Sequence, residues 1–561
     1  MKNIRLIFEN AKISPIFIIL ILTYAYYSNR YAGQNLHVWG DEITYSIESR
    51  HLDYANSTYP NYIYLQLFHL THAAKTGFLE AARSVNAGLL TITIAFIYGV
   101  ARRFASKNWA CLVASASALS PISTYSAYFM PDIMYFCGVA GFAWFYLTQF
   151  DDKLKLKLFV LGVITGGLAL VKPHAIFILI AFIAQQTWLL FLNHESRSAK
   201  ERILGLTSCV SAFIAIRFGI GFLFAGTPSL NLIGAYSDYT NANWDLSKFK
   251  HAAILCLTLI KGHSIALVLL AGPGLIALIT TAQLNWSQHR KVIELNSLII
   301  AFFAVMFPLS ILFSVRIADG APFVDTMRLH MRYYNLFFPL LLISLLPLID
   351  QTTKLTKLGR TFSFALGLIS QSAAWNSLRK FAPLAVDSPE LRGITANQTS
   401  MIIGSLLVTA AIWTFIWSPR IAARASLIFV APFIAINGLY WVNKDLTHRH
   451  IDLIGDIAGK ITKIHLGDRA KNIGFFGDVV AIYQGIFYVG DPGSFTYRLP
   501  DGEGVPDELV VGKPMPGYLL PPGKLMPPNT EWAVIFGARP IPPRYQLVLQ
   551  GEGWSLHRRL P

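Results

Sequence analysis

The chain has 561 residues, of which 54% are hydrophobic and only 14% charged, against about 25% charged in soluble domains. That shortage excludes an ordinary water-soluble enzyme. The net charge of +16 is spread over short loops between apolar runs, without a basic stripe or an RNA-binding signature, which argues against a nucleic-acid partner.

The first apolar run, residues 13–27, follows Lys2, Arg5 and Lys12 and lacks a small-residue cleavage site, so it is expected to stay as the first span. Further stretches near 84–101, 108–128, 132–150, 157–172, 174–193, 203–225, 264–284, 292–315, 333–349, 361–377, 399–418 and 424–442 read as membrane-crossing helices, each long enough for a hydrocarbon core of about 30 Å. With 13–29 they make about thirteen. Arg102, Arg103 and Lys107; Lys153, Lys155 and Lys157; Arg197, Lys200 and Arg202; Arg290 and Lys291; Lys354, Lys357 and Arg360; and Arg420 and Arg424 fall on one side with the N-terminus. That side is the cytoplasm by the positive-inside rule, which puts the C-terminus outside. Everything after 361–377 depends on that short stretch crossing, because Arg379 and Lys380 follow it on the outer side. The apolar stretch 252–284 is too long for one crossing at 1.5 Å per residue. An interfacial helix over 249–260 is therefore expected, with the crossing helix starting near Ser264 and Lys261 and His263 at the outer mouth.

After Trp441 the sequence turns polar and rich in Pro and Gly. Residues 473–476, 532–536 and 545–549 read as strands and 451–464 as an amphipathic helix. The expected fold is a polytopic α-helical membrane domain over 1–442 and a small α/β extracytoplasmic domain over 443–561, the latter an acceptor-binding or stabilising cap. The four cysteines stand singly inside apolar segments and suggest neither zinc nor a disulfide framework.

Chemistry-bearing residues gather in the outer loops. Asp41 and Glu42 lie just beyond the first span, where adjacent carboxylates are costly to desolvate without cations, a metal or a function; a solvated loop start is the plain alternative. Asp132 follows Pro131 in a turn between two nearly uncharged spans, where a helix cap is the local reading. Lys172 and His174 flank Pro173, Lys261 stands at the outer mouth, and Arg328, His330 and Arg332 precede the tenth span. Single cations there snorkel to headgroups, but a cluster with spare positive charge suits a phosphate. Asp41, Glu42 and Asp132 offer oxygen ligands to a divalent cation; with no His or Cys at fixed spacing the metal stays open.

Four segments occur in order: Trp39-Gly40-Asp41-Glu42, Pro131-Asp132, Thr165-Gly166-Gly167-Leu168-Ala169-Leu170-Val171-Lys172-Pro173, and Arg332-Tyr333-Tyr334-Asn335-Leu336-Phe337-Phe338-Pro339. Over roughly the first 350 residues this order resembles the GT-C superfamily, particularly the protein O-mannosyltransferase and lipid A aminoarabinose transferase branch. The resemblance implies that Asp41, assisted by Glu42, is the base and Asp132 the second acidic residue of the site. One departure stands out. The Lys-Pro-Pro segment of the aminoarabinose branch is replaced by Ser57-Thr58-Tyr59-Pro60-Asn61-Tyr62, so that branch's phosphate-binding lysine has no equivalent.

The functional expectation is a glycosyltransferase that takes a sugar from a polyprenyl-phosphate-linked donor to a hydroxyl of a glycan, lipid or protein, in a bacterial inner membrane with the site on the periplasmic face. A single displacement would invert the anomeric centre. A transporter or lipid-linked-glycan flippase predicts midplane charges and paired broken helices, which are scarce here. An O-antigen polymerase or ligase would explain the basic outer loops but not the early acidic pair.

Overall fold

A computed structural model describes residues 14–150, 153–192, 196–234, 246–281, 286–318, 328–350, 354–376, 378, 381, 384–499, 502–505 and 530–560. The helices in chain order begin with α1 (Pro15–Arg30), α2 (Trp39–His51), α3 (Tyr62–His69), α4 (Phe78–Ala101), α5 (Lys107–Ala118), α6 (Asp132–Thr148) and α7 (Leu154–Ala169). They continue with α8 (Ala175–Leu192), α9 (Ser196–Ile214), α10 (Gly221–Ala225), α11 (Leu246–Thr281), α12 (Trp286–Ala318), α13 (Phe338–Ile343), α14 (Lys357–Asn376) and α15 (Pro389–Thr395). The last are α16 (Gln398–Trp417), α17 (Pro419–Ala425), α18 (Ala431–Thr447), α19 (Ile454–Leu466) and α20 (Val479–Val489).

Among the described residues, seven helical stretches are long and apolar enough to cross a membrane: Tyr62–Ala101, Ala175–Leu192, Ala199–Ala225, Lys250–Thr281, His289–Val315, Gln398–Trp417 and Pro419–His450. Helical pieces that are shorter or less apolar occupy the other expected spans. The helix expected over 108–128 stops at Ala118, because Pro121 disfavours helix for the residue before it; a 3₁₀ segment, Pro121–Ala127, takes over. The segment 333–349 is likewise broken into 3₁₀ turns around α13, which carries Pro339 in its first turn and is followed by Pro347.

One expectation is corrected. No break separates 249–260 from 264–284: α11 runs unbroken through Lys261, Gly262 and His263 and carries Pro273 inside it. Gly262 is a packing notch, since a Cβ there would stand 2.6 Å from the Phe381 ring. Gly162 of α7 does the same job against α9, where a Cβ would collide with the Cys209 carbonyl, and a Cβ at Gly166 would sit 2.9 Å from the Phe213 carbonyl. Small residues that let helix backbones approach are how packing replaces the hydrophobic drive inside lipid. Gly162→Leu should therefore cost about 1–3 kcal/mol by overpacking, read as a lower melting temperature in detergent, whereas Gly167→Ala, where a Cβ would meet only the Ile63 side chain at 3.8 Å, should change it little.

The long segment between α1 and α4 carries α2 and α3, and the C-terminal domain docks on it. Five strands, β1 (Ile473–Gly477), β2 (Phe495–Arg498), β3 (Trp532–Phe536), β4 (Tyr545–Gly551) and β5 (Trp554–Arg559), form one sheet in the order β2-β1-β3-β5-β4. β1 pairs parallel with β2 and β3, and β5 antiparallel with β3 and β4. The three expected strands and the amphipathic helix, α19, are all present; β2, β5 and α20 join them. α18 runs straight across the expected boundary at 442, and the chain turns only at His448–His450. The dock is polar and specific. Arg449 donates to the Leu36 carbonyl (2.9 Å) and pairs with buried Asp456 (3.1 Å), Tyr488 donates to Asn35 Oδ1 (2.5 Å), and Phe487 packs at a tilt on Phe78 with ring centroids 5.4 Å apart.

Candidate active site

Two buried residues decide where the acidic loops lie. Glu42 is fully buried on α2, and its carboxylate accepts from the backbone N–H groups of His37 (2.6 Å), Val38 (2.6 Å) and Phe129 (2.9 Å). Arg83, also buried, donates to the carbonyls of Tyr31, Gln34 and Asn35 on one loop and of Ala127 on the other. An acceptor-only carboxylate and a donor-only guanidinium thus sew the loop before α2 to the loop before α6. Burial raises the Glu42 carboxyl above its ordinary value, and the N–H bonds oppose that rise. Both Glu42 oxygens are occupied by backbone donors, so its work here is to hold the loops together.

With the loops joined, Asp41 and Asp132 fall into one cluster. Asp132 does not cap its helix; instead its Oδ1 pairs with Lys172 Nζ at 2.7 Å, both side chains being 5% exposed. Asp41 is partly open, with 44% of its side chain exposed, and its Oδ2 accepts from Arg332 Nη1 at 3.1 Å. Tyr333 links the two pairs. Lys172 Nζ lies 5.6 Å and the Arg332 guanidinium carbon 5.7 Å from its ring centre, and the His174 ring lies against it at 4.8 Å. His330 is buried behind the cluster, its Nδ1 within 2.7 Å of Ser314 Oγ.

Asp387, absent from the sequence-derived site, anchors the basic side. Its Oδ2 accepts from Arg328 Nε (2.9 Å) and Nη2 (2.5 Å), its Oδ1 lies 3.8 Å from Arg332 Nε, and its backbone carbonyl accepts from Arg332 N (2.9 Å). Burial pushes the Asp387 carboxyl upward, but His330, Arg332 and Arg328 outweigh it and hold it below the ordinary value. The expected spare positive charge is corrected by this residue. Among the described residues, Asp41, Asp132 and Asp387 balance Lys172, Arg328 and Arg332 one for one. Arg332 Nε is nevertheless buried with no hydrogen-bond acceptor among the described residues, so the arginine keeps a donor to offer.

Lys261 is not brought to this cluster: it stands exposed on α11, while its neighbour His263 is buried with Nδ1 2.8 Å from the Tyr334 hydroxyl. Two acidic residues of the segment that precedes Arg328, Asp319 and Asp325, lie outside the described residues. Among those described, no group of three or more His, Cys, Asp and Glu side chains is arranged to hold a metal ion.

Three residues after Asp387, in the first turn of α15, Glu390 is 2% exposed; its Oε2 accepts from Asn335 Nδ2 at 3.3 Å and, among the described residues, its Oε1 has no partner. Burial pushes this carboxyl from 4.5 up to about 7, against the weaker pull of its hydrogen bonds. A folded-state value above the unfolded one stabilises fully at low pH and is lost as the pH climbs through about 7. The wild-type melting temperature should therefore fall between about pH 5 and about pH 8, by up to about 1.4 kcal/mol of stability per pH unit. Glu390→Gln should flatten that fall in scanning fluorimetry.

Comparison with known proteins supports the likeness to GT-C membrane glycosyltransferases that the ordered motifs implied. Residues 70–220 match the family described as dolichyl-phosphate-mannose-protein mannosyltransferase. Across 97% of both chains, the structure resembles ArnT from Cupriavidus metallidurans, with a TM-score of 0.52 in the apo state and 0.51 for the form bound to undecaprenyl phosphate, at 13% identity in each case. No curated protein sequence matches the chain significantly.

Proposed function

We propose that this protein transfers a sugar from a polyprenyl-phosphate-linked donor to an acceptor hydroxyl at the periplasmic face of a bacterial inner membrane, with inversion. The observation that carries the reading is the half-open Asp41 carboxylate held by Arg332, next to the buried Lys172–Asp132 pair. Fold likeness to a protein solved with undecaprenyl phosphate supports the class of donor.

In the reaction, the acceptor oxygen forms a bond to the anomeric carbon as the carbon–oxygen bond to the phosphate breaks. Asp41 takes the hydroxyl proton as general base. Negative charge builds on the departing phosphate oxygen, where Arg332, Arg328 and Lys172 stabilise it. Their pairing with Asp387 and Asp132 fixes these cations before the donor arrives, so little reorganisation is needed when charge develops. His174, its ring tilted against Tyr333, packs beside these groups. The C-terminal domain, docked on the segment that bears α2, serves as the cap over the acceptor side.

Reconstituted protein given a mixed pool of polyprenyl-phosphate monosaccharides should release polyprenyl phosphate and form an anomerically inverted product, followed by mass spectrometry and NMR. Transfer only en bloc from a pyrophosphate-linked oligosaccharide, or no transfer with lipid movement across the bilayer instead, would overturn the assignment.

A further inference from the structure

At the end of the bundle remote from the Asp41–Asp132 cluster, α8, α11 and α12 enclose a cavity of about 590 Å³, within the size range of small-molecule sites. On α8, Gln185 is eleven residues beyond His174, and on α12, Asn296 is eighteen residues before Ser314, which puts the cavity roughly 16–27 Å from the cluster along the helices. It is a separate place. Its walls are apolar, and Trp188, Leu192 and Ile300 at its lip are 57%, 38% and 51% exposed, so it opens sideways toward the surrounding hydrocarbon.

Inside stands a buried amide. Asn296 is 4% exposed; its Nδ2 donates to Thr281 Oγ1, whose own hydroxyl donates to the Ala277 carbonyl, and among the described residues its Oδ1 has no partner. Because the Thr281 hydroxyl already gives its one hydrogen to the Ala277 carbonyl, it can only accept from Asn296, which sets the NH₂ toward Thr281 and leaves the amide oxygen over. In hydrocarbon such an atom costs several kcal/mol unless something bonds it. The neighbouring Gln185 is already used: its Nε2 lies within hydrogen-bond distance of the Tyr146 hydroxyl, Ser297 Oγ and the Glu294 carbonyl, and its Oε1 accepts from Gln186 Nε2.

We infer that this cavity binds a glycerophospholipid of the surrounding bilayer, with an acyl chain along the apolar wall and a head group carrying an N–H or O–H that donates to Asn296. Phosphatidylethanolamine and phosphatidylglycerol share that chemistry; phosphatidylcholine lacks it. The site is distinct from the transferase centre and does not depend on its substrate.

The test uses the full chain, reconstituted in nanodiscs containing equal parts of the three lipids, extracted into mild detergent and weighed intact by native mass spectrometry. Wild type should retain one lipid per chain, the ethanolamine or glycerol form exceeding the choline form about tenfold. Asn296→Leu should remove that preference, and Ala301→Trp, which fills the cavity, should abolish retention while circular dichroism stays unchanged. No retained lipid, equal retention of the choline form by wild type, or a polyprenyl phosphate retained in its place would overturn the inference. Should Ala301→Trp misfold, the head-group preference of wild type against Asn296→Leu decides alone.

Discussion

Asp41→Asn should leave the protein folded and inserted yet lower sugar transfer about 10²–10⁴-fold, the range that general-base assistance supplies. The substitution keeps the shape and one oxygen to accept from Arg332, which now sits at 3.1 Å from Oδ2, but the amide cannot take a proton from the acceptor. Because Asp41 is partly exposed, stability should change by less than about 1 kcal/mol, in line with other half-open ion pairs. Transfer rates with the donor at saturation, set beside melting curves, check both halves. Full activity in a folded Asp41→Asn protein would take the base role from this residue and leave Arg332 holding a merely structural partner.

Lys172→Met should destabilise the fold by about 3–5 kcal/mol, because it strands the Asp132 carboxylate in a site where both side chains are 5% exposed. Replacing both members, Lys172→Met with Asp132→Asn, should recover most of that loss, since a buried pair is often no better than a well-packed neutral one. Activity should not recover with it. If the double variant melts like wild type and also transfers sugar like wild type, the pair is scaffolding and the phosphate is held elsewhere. Melting temperature and transfer rate measured on the same three preparations separate the two roles.

Several features of the site were legible because they are local. Asp41-Glu42 after an apolar run, Pro131-Asp132 between two spans, and Lys172 and Arg332 at apolar ends are visible as charges where the solvent disfavours them. Asp387 carried a signal too: if 361–377 crosses the membrane, the Asp387-Ser388-Pro389-Glu390 segment falls on the same side as Asp41. Lys261 misled for a physical reason. Gly262 reads as a helix interruption in one dimension, whereas in the folded protein it is the notch that admits the Phe381 ring, and the helix passes straight through.

By itself the sequence determined the solvent, the apolar helical character, the mixed C-terminal domain and the set of charges available for chemistry, since hydropathy and helix length answer to the bilayer residue by residue. Only the tertiary structure decided what each charge does. Of two adjacent acids, Glu42 turned inward to bind three backbone N–H groups and Asp41 outward to meet Arg332, although they differ by a single methylene and one position on α2. Neighbours along a helix point about 100° apart, and which of them meets a guanidinium is settled by segments hundreds of residues away.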